Sequence, residues 1–174
     1  NGGVTAQIWT LGHRNPLGIA FDAAGQLWAH EMGPLGGDEL NRIVRSNNYG
    51  YPVVSEGEHY DGTAIPAHAT MPIYDAPVIA WVPSISPAGL VIYSGDVFKA
   101  WNGDALIGGL SSSALIRVSL SVRDTSRGPR YEAEEAARYS WGRRVREVEQ
   151  GPDDALYVLE DGEPGRLIRL TPAR

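Results

Sequence analysis

The run Val145–Leu170, VREVEQGPDDALYVLEDGEPGRLIRL, decides the fold. A short strand with apolar residues at Val145 and Val148 leads into the turn Gly151-Pro152-Asp153-Asp154. A second strand around Leu156 follows, and the run closes on Leu167-Ile168-Arg169-Leu170. β-Branched and aromatic residues suit a pleated, half-buried surface, while Gly, Pro and Asp supply the backbone angles of tight turns. The same order recurs upstream. Gly18–Val44 has a strand, the turn Asp22-Ala23-Ala24-Gly25, a strand at Leu27 and the closing Leu40-Asn41-Arg42-Ile43-Val44. Gly89–Leu120 has a strand at Leu90, a longer turn through Asn102-Gly103-Asp104, a strand at Leu106 and the closing Leu115-Ile116-Arg117-Val118.

Three β-meanders that each close on apolar–Arg–apolar read as propeller blades, and the repeat favours this over a β-sandwich of similar short strands. The expected fold is therefore all-β: a β-propeller of about three four-stranded blades, at residues 18–44, 89–120 and 145–170, within one domain spanning 1–174. Tyr131–Tyr139 carries Glu132, Glu134, Glu135 and Arg138 without an apolar stripe of helical period, so it reads as irregular or extended. Propellers close with 4–8 blades. Three blades alone would leave two unpaired sheet edges and an exposed inner face, so either a missing N-terminal half or a second copy is expected to complete a six-bladed ring.

Composition narrows the function. The 174 residues include 21 Gly and 12 Pro, well above the usual share of about 12% for the two together, as expected for many short strands and turns. A net charge of −6 argues against nucleic-acid binding. No apolar run reaches the roughly 18–20 residues of a membrane helix, and no signal-peptide pattern stands at the start. The absence of Cys excludes disulfides and thiolate zinc sites. There is no GxSxG, no phosphate-binding GxxxxGK[ST], and no HExxH. The four histidines, His13, His30, His59 and His68, read individually as structural or solvent-facing.

Five segments could carry chemistry. In Leu11-Gly12-His13-Arg14-Asn15-Pro16-Leu17-Gly18, Pro16 holds Asn15 extended, so a guanidinium and a carboxamide sit side by side before a strand. Such planar donors suit an anionic or carbonyl-bearing ligand; a salt bridge and an Asn-Pro turn would look the same. In Glu31–Asn41, glycines free main-chain carbonyls to face a cation, and Asp38 and Glu39 supply hard oxygens of the kind Ca²⁺ prefers. A hairpin with solvated acids is the plainer alternative. Asn48-Tyr49-Gly50-Tyr51-Pro52 reads as a turn with aromatic packing, and Val82-Pro83-Ser84-Ile85-Ser86-Pro87 as a rigid loop exposing a hydroxyl. In Arg143-Arg144-Val145-Arg146-Glu147-Val148, Arg144 and Arg146 point to one strand face, where two cations repel unless an anion lies between them.

In this order and spacing, GHRNPLG (Gly12–Gly18), GPLGGDELN (Gly33–Asn41), NYGYP (Asn48–Pro52) and RVREV (Arg144–Val148) resemble the soluble PQQ-dependent sugar dehydrogenases, including the glucose and aldose sugar dehydrogenases. The resemblance runs from about Ile8 to Leu170 and implies a six-bladed propeller with PQQ over the central channel and a bridging Ca²⁺. It also implies an oxidoreductase that converts the C1 hydroxyl of an aldose to a lactone and passes electrons to an external acceptor, placed in the periplasm or secreted. By the same resemblance, Arg14 and Asn15 contact the quinone edge, with Arg14 assisting catalysis. Main-chain oxygens of Gly33 and Pro34 ligate the bridging Ca²⁺, and Asp38 and Ser84 lie at the cofactor. Glu39 and Tyr49 serve a second, structural calcium region, and Arg144 and Arg146 neutralise PQQ carboxylates. Two departures bear on PQQ: Ser111 stands where the family places a Lys, and Met32 where it carries Gln, His or Asn. The family's general-base His belongs to the half of the propeller not found in this chain. The alternative implied by these departures is a calcium-stabilised propeller module that binds without catalysis. A calcium-dependent lactonase is the weaker third reading, since only Asp38 and Glu39 could form its acid cluster.

Overall fold

The computed structural model describes residues 3–126 and 128–173. The first sheet is β1 (Pro16–Phe21), β2 (Leu27–Glu31), β3 (Asp38–Ile43) and β4 (Ile79–Trp81). The second is β5 (Pro87–Ile92), β6 (Ala105–Gly109), β7 (Ala114–Thr125) and β8 (Gly128–Ser140). The third is β9 (Arg144–Gln150), β10 (Leu156–Asp161) and β11 (Leu167–Leu170). Every pair of sequential strands within a sheet is antiparallel, so each sheet is a simple meander.

The three repeats lie where the sequence puts them, with two additions and one correction. The first sheet gains β4, only three residues long and hemmed by Pro77 and Pro83, too short to show a period. The second gains β8, which resolves the Tyr131–Tyr139 segment as extended: a strand paired with β7 from Ala114↔Ser140 to Thr125↔Gly128. The correction concerns the third sheet, which has three strands among the described residues where four were expected. After Leu170 the chain to Ala173 is not strand.

The sheets stack face to face through two cores. Trp28, Leu40, Trp81, Leu90, Ile107 and Ile116 fill the space between the first and second. Tyr93, Leu106, Leu115, Val148 and Leu156 fill the space between the second and third. Strand β6 shows how one sheet serves both. It is buried throughout, and its period of two sends Ala105 and Ile107 to one neighbour and Leu106 to the other. The outer sheets each keep one open face. Leu17, Ile19 and Phe21 are exposed on the first, and Leu159 and Leu167 on the third.

The inner strands β1, β5 and β9 converge, and glycine sets how closely. A Cβ on Gly18 would lie 2.4 Å from His30 Nε2 and 3.0 Å from the Leu90 Cβ. A Cβ on Gly89, at φ +65, would lie 2.1 Å from Glu147 Oε1 and 2.8 Å from Val148 N. Each glycine faces the next blade, so the missing side chain is what lets neighbouring backbones approach. Outside, the long β7–β8 hairpin folds back over the first sheet. Its Tyr131 meets Trp28 edge-on at 6.2 Å and lies under Arg42 at 3.8 Å, while Glu135 accepts from Trp81 Nε1 at 2.8 Å.

In the third sheet, the Glu160 carboxylate accepts from Arg166 Nε at 2.6 Å, Arg166 Nη2 at 2.7 Å and Trp141 Nε1 at 2.8 Å. The paired Arg166, with Trp141, holds its pKa down to about 2. Stabilisation from this carboxylate is therefore complete above its ordinary value of 4.5 and is lost as pH falls towards about 2. Acid titration of the fold checks this: Glu160→Gln should weaken the protein at neutral pH and flatten its loss of stability between those two values. Leu106→Ala and Ile107→Ala, one in each core, should each cost about 2–4 kcal/mol in urea unfolding.

Candidate functional site

Because β1, β5 and β9 start at the same end, the segments that precede or open them share one rim. At the opposite end Phe21 and Ile92 line one cavity, and Ser94 N donates to Gln150 Oε1. Arg14 and Asn15 precede β1, Ser84 to Ser86 precede β5, and Arg144 and Arg146 open β9. The structure resolves these residues into three clusters.

The first is built on Glu31, at the end of β2 and 4% exposed. Its Oε1 accepts from Asn41 Nδ2 at 3.0 Å and lies 2.8 Å from His13 Nδ1. Its Oε2 accepts from the backbone N–H of Arg14 at 2.6 Å and of Asn15 at 3.3 Å. One buried carboxylate thus fixes the Gly12–Asn15 turn. Arg14 Nη1 donates to Met32 O at 3.0 Å and Nη2 to the Tyr60 hydroxyl at 3.1 Å. The Asn15 side chain is exposed and makes no hydrogen bond among the described residues.

Glu39 lies beside this centre, 7% exposed, and accepts from Asn41 Nδ2 at 3.0 Å. Burial raises its pKa to about 7, Glu31 adds to the effect, and the Asn41 hydrogen bond opposes it. Asn41 Oδ1 is buried without a partner, and the buried carbonyls of Gly33 and Pro34 accept no hydrogen bond among the described residues. Glu31, Gly33, Pro34, Glu39, Tyr49 and Ser55 line one cavity of about 10 Å³, room for a single small occupant. Glu31 is already engaged by four partners, so the oxygens left for an occupant are those of Glu39, the undonated Asn41 Oδ1 and the Gly33 and Pro34 carbonyls, a hard-oxygen set that fits a cation such as Ca²⁺. The Tyr49 ring stacks on His13 at 4.7 Å, and its carbonyl oxygen lies 2.9 Å from His68 Nε2. His30 and His68 are buried within the fold and His59 is exposed, as expected of structural and solvent-facing histidines.

The second cluster is built on Asp38, with Ser84 among its donors. Asp38 is fully buried, and its oxygens are taken by the N–H of Gly33 at 3.0 Å, Ile85 at 2.8 Å and Ser86 at 2.7 Å, and by the Ser84 hydroxyl. These four donors satisfy the buried carboxylate, and the Ser84 proton is directed at it. Asp38 ties the glycine loop of the first sheet to the entry of the second. Ser111 joins the same network, its hydroxyl donating to Ser84 O at 3.1 Å.

The third cluster supplies the anion that two strand-face cations demand. Arg144 Nε and Arg146 Nη2 both reach Asp161 Oδ2, at 2.8 Å and 2.7 Å. Arg146, then Arg144, hold the Asp161 carboxyl below its usual range. Part of the charge expected to await a ligand is therefore met by the chain's own β10. Two guanidinium groups against one carboxylate still leave a net positive charge, and both arginines are about half exposed. With the open Asn15 amide and Arg14, the rim suits a planar, anionic group.

Sequence reading missed Glu31, Asn41 and Asp161. For Glu31 the available signal was a charged residue at the end of a buried strand, which burial forces to be paired.

Comparison with known proteins defines the class. Residues 1–169 match the glucose/sorbosone dehydrogenase family model. The chain belongs to this family. It is 34% identical over 173 residues to the aldose sugar dehydrogenase YliI of Escherichia coli K12, covering 98% of this chain and 45% of that protein. It superposes on the crystal structure of the soluble E. coli aldose sugar dehydrogenase in its apo form with a TM-score of 0.83 at 35% identity, covering 97% of this chain and 48% of that one. The PQQ-bound aldose sugar dehydrogenase of Streptomyces coelicolor matches with a TM-score of 0.62 at 26% identity, over 94% of this chain and 45% of that one. The chain spans less than half the length of the curated relatives it matches over nearly its whole length.

Asp38→Ala strands four donors and should cost about 3 kcal/mol or more, whereas Ser84→Ala removes one and should cost about 1 kcal/mol. Chemical denaturation of both variants measures the difference.

Proposed function

We propose that this chain forms the cofactor- and calcium-holding part of a PQQ-dependent aldose dehydrogenase that oxidises the sugar C1 hydroxyl to the lactone. The observation that carries the reading is the oxygen-lined cavity at Glu31, Gly33, Pro34 and Glu39, set beside Arg14 and Asn15 in a chain of this family. PQQ, when bound, supplies the acceptor for the hydride leaving C1, and an external acceptor later takes the electrons. The chain's own residues bind and orient. Arg14, tethered by Met32 O, presents guanidinium N–H groups at the rim, and Asn15 adds an amide. Arg144 and Arg146 offer net positive charge for carboxylates. The carbonyls of Gly33 and Pro34, with the Glu39 carboxylate, would hold one Ca²⁺ in the cavity they share with Tyr49.

The proton of the C1 hydroxyl needs a base. By the family resemblance the base belongs to the remaining blades of a six-bladed ring, which would also cover the exposed Leu17, Ile19 and Phe21 on one side and Leu159 and Leu167 on the other. A periplasmic or secreted setting belongs to the same reading.

A second reading keeps calcium and drops PQQ. It is favoured by Asp161 occupying the Arg144–Arg146 pair and by Ser111 turning its hydroxyl onto Ser84 O. Titration of the intact natural polypeptide separates the two. Under the first reading PQQ binds saturably with Ca²⁺ and supports dye reduction by aldoses; under the second it does neither. Ca²⁺ should stabilise the fold under both, by about 2.7 kcal/mol at a hundredfold excess over its Kd, read as a higher thermal midpoint. Glu39→Gln should abolish most of that shift.

A further inference from the structure

The loop after β3 contains one residue that neither packing nor the chemistry above explains. Tyr60 is 74% exposed, so it contributes little to a core. Its hydroxyl nevertheless accepts from Arg14 Nη2 at 3.1 Å, and the Arg14 guanidinium carbon lies 5.8 Å from its ring centre. The position is built. Glu58 exchanges both backbone hydrogen bonds with Leu35, at 2.8 Å and 3.1 Å. His59 N donates to Thr63 O, Gly62 N to His59 O, and Thr63 N to Asp61 Oδ1, all at 2.9 Å. A short, closed turn therefore fixes an exposed aromatic ring beside the guanidinium of the proposed catalytic residue.

The Tyr60 oxygen accepts from Arg14, which leaves its own O–H free to donate, with no acceptor among the described residues. Guanidinium and phenol together offer converging donors beside an open aromatic face. A pyranose has the complementary surface: a patch of C–H bonds on one face, ringed by hydroxyl oxygens. Stacking on a ring already held in place costs little ordering entropy.

Building on the sugar dehydrogenase reading, we infer that Tyr60 is a specificity-determining contact for the sugar. Its ring stacks against the sugar's C–H face and its O–H donates to a sugar hydroxyl, beside Arg14. It touches substrate and takes no part in hydride or proton transfer.

The test uses the intact natural polypeptide loaded with PQQ and Ca²⁺, with glucose and other aldoses as probes. Calorimetric titration of the same sugars into the PQQ-free protein gives a readout independent of turnover. Tyr60→Ala should raise KM about tenfold with kcat within twofold, and weaken calorimetric binding in the same ratio. Tyr60→Phe keeps the ring and should recover part of that loss, with KM about threefold above wild type. Unchanged KM and calorimetric affinity in Tyr60→Ala overturn the inference while the dehydrogenase reading stands. A fall in kcat at constant KM also overturns it, because Tyr60 would then act by orienting Arg14. A wild-type protein that neither binds nor oxidises any aldose overturns both readings together.

Discussion

The join between the first two sheets at the rim depends on one buried carboxylate. Asp38 gathers donors from Gly33, Ser84, Ile85 and Ser86, groups far apart in sequence and belonging to two different sheets. Burying a charge without such partners would cost several kcal/mol, so the donors are required for Asp38 and Asp38 is required for them. The consequence reaches the candidate cation site. With Gly33 N held by Asp38, the Gly33–Pro34 segment is kept at the cavity that Glu31 and Glu39 also line. A loop of this glycine content would otherwise pay heavily in backbone entropy to keep one conformation.

Around that anchor, work is divided by strand position. The inner strands provide close approach through Gly18 and Gly89, the middle strands provide apolar surface, and the outer hairpin β7–β8 grips the neighbouring rim through Tyr131 and Glu135. Only the second sheet is covered on both faces. The outer sheets are each held by one core, as in other architectures assembled by repetition, where stability is a sum over neighbours.

The fold was legible because each blade is a local meander: strand, turn and strand lie within some thirty residues, and the closing apolar–Arg–apolar motif marks each register. Strand β4 escaped notice because three residues carry no period, and β8 because its charges on an exposed edge hide the alternation of Tyr131 and Ala133 against Val122 and Leu120. The candidate site was legible as residue types but not as partnerships. Arg144 and Arg146 were seen to need an anion, yet nothing local says that Asp161, across a bulged pair of strands, provides it. The donors that Asp38 gathers were out of view for the same reason: three of the four come from the entry to another sheet. Polar networks closed by tertiary contacts are the level at which a one-dimensional pattern stops being informative.

The 44–78 excursion leaves the first sheet after β3 and returns to it as β4. Its near end is tied by the Leu11–Asn48 bridge and its far end by Val78 N on Leu40 O, so both ends are fixed whatever lies between. Loop-closure entropy grows only slowly with length. Insertions or deletions around Tyr60 would therefore leave the blade and its register intact. Such an arrangement lets ligand preference diversify by changes in loop length while the scaffold drifts slowly, so the two can evolve at separate rates.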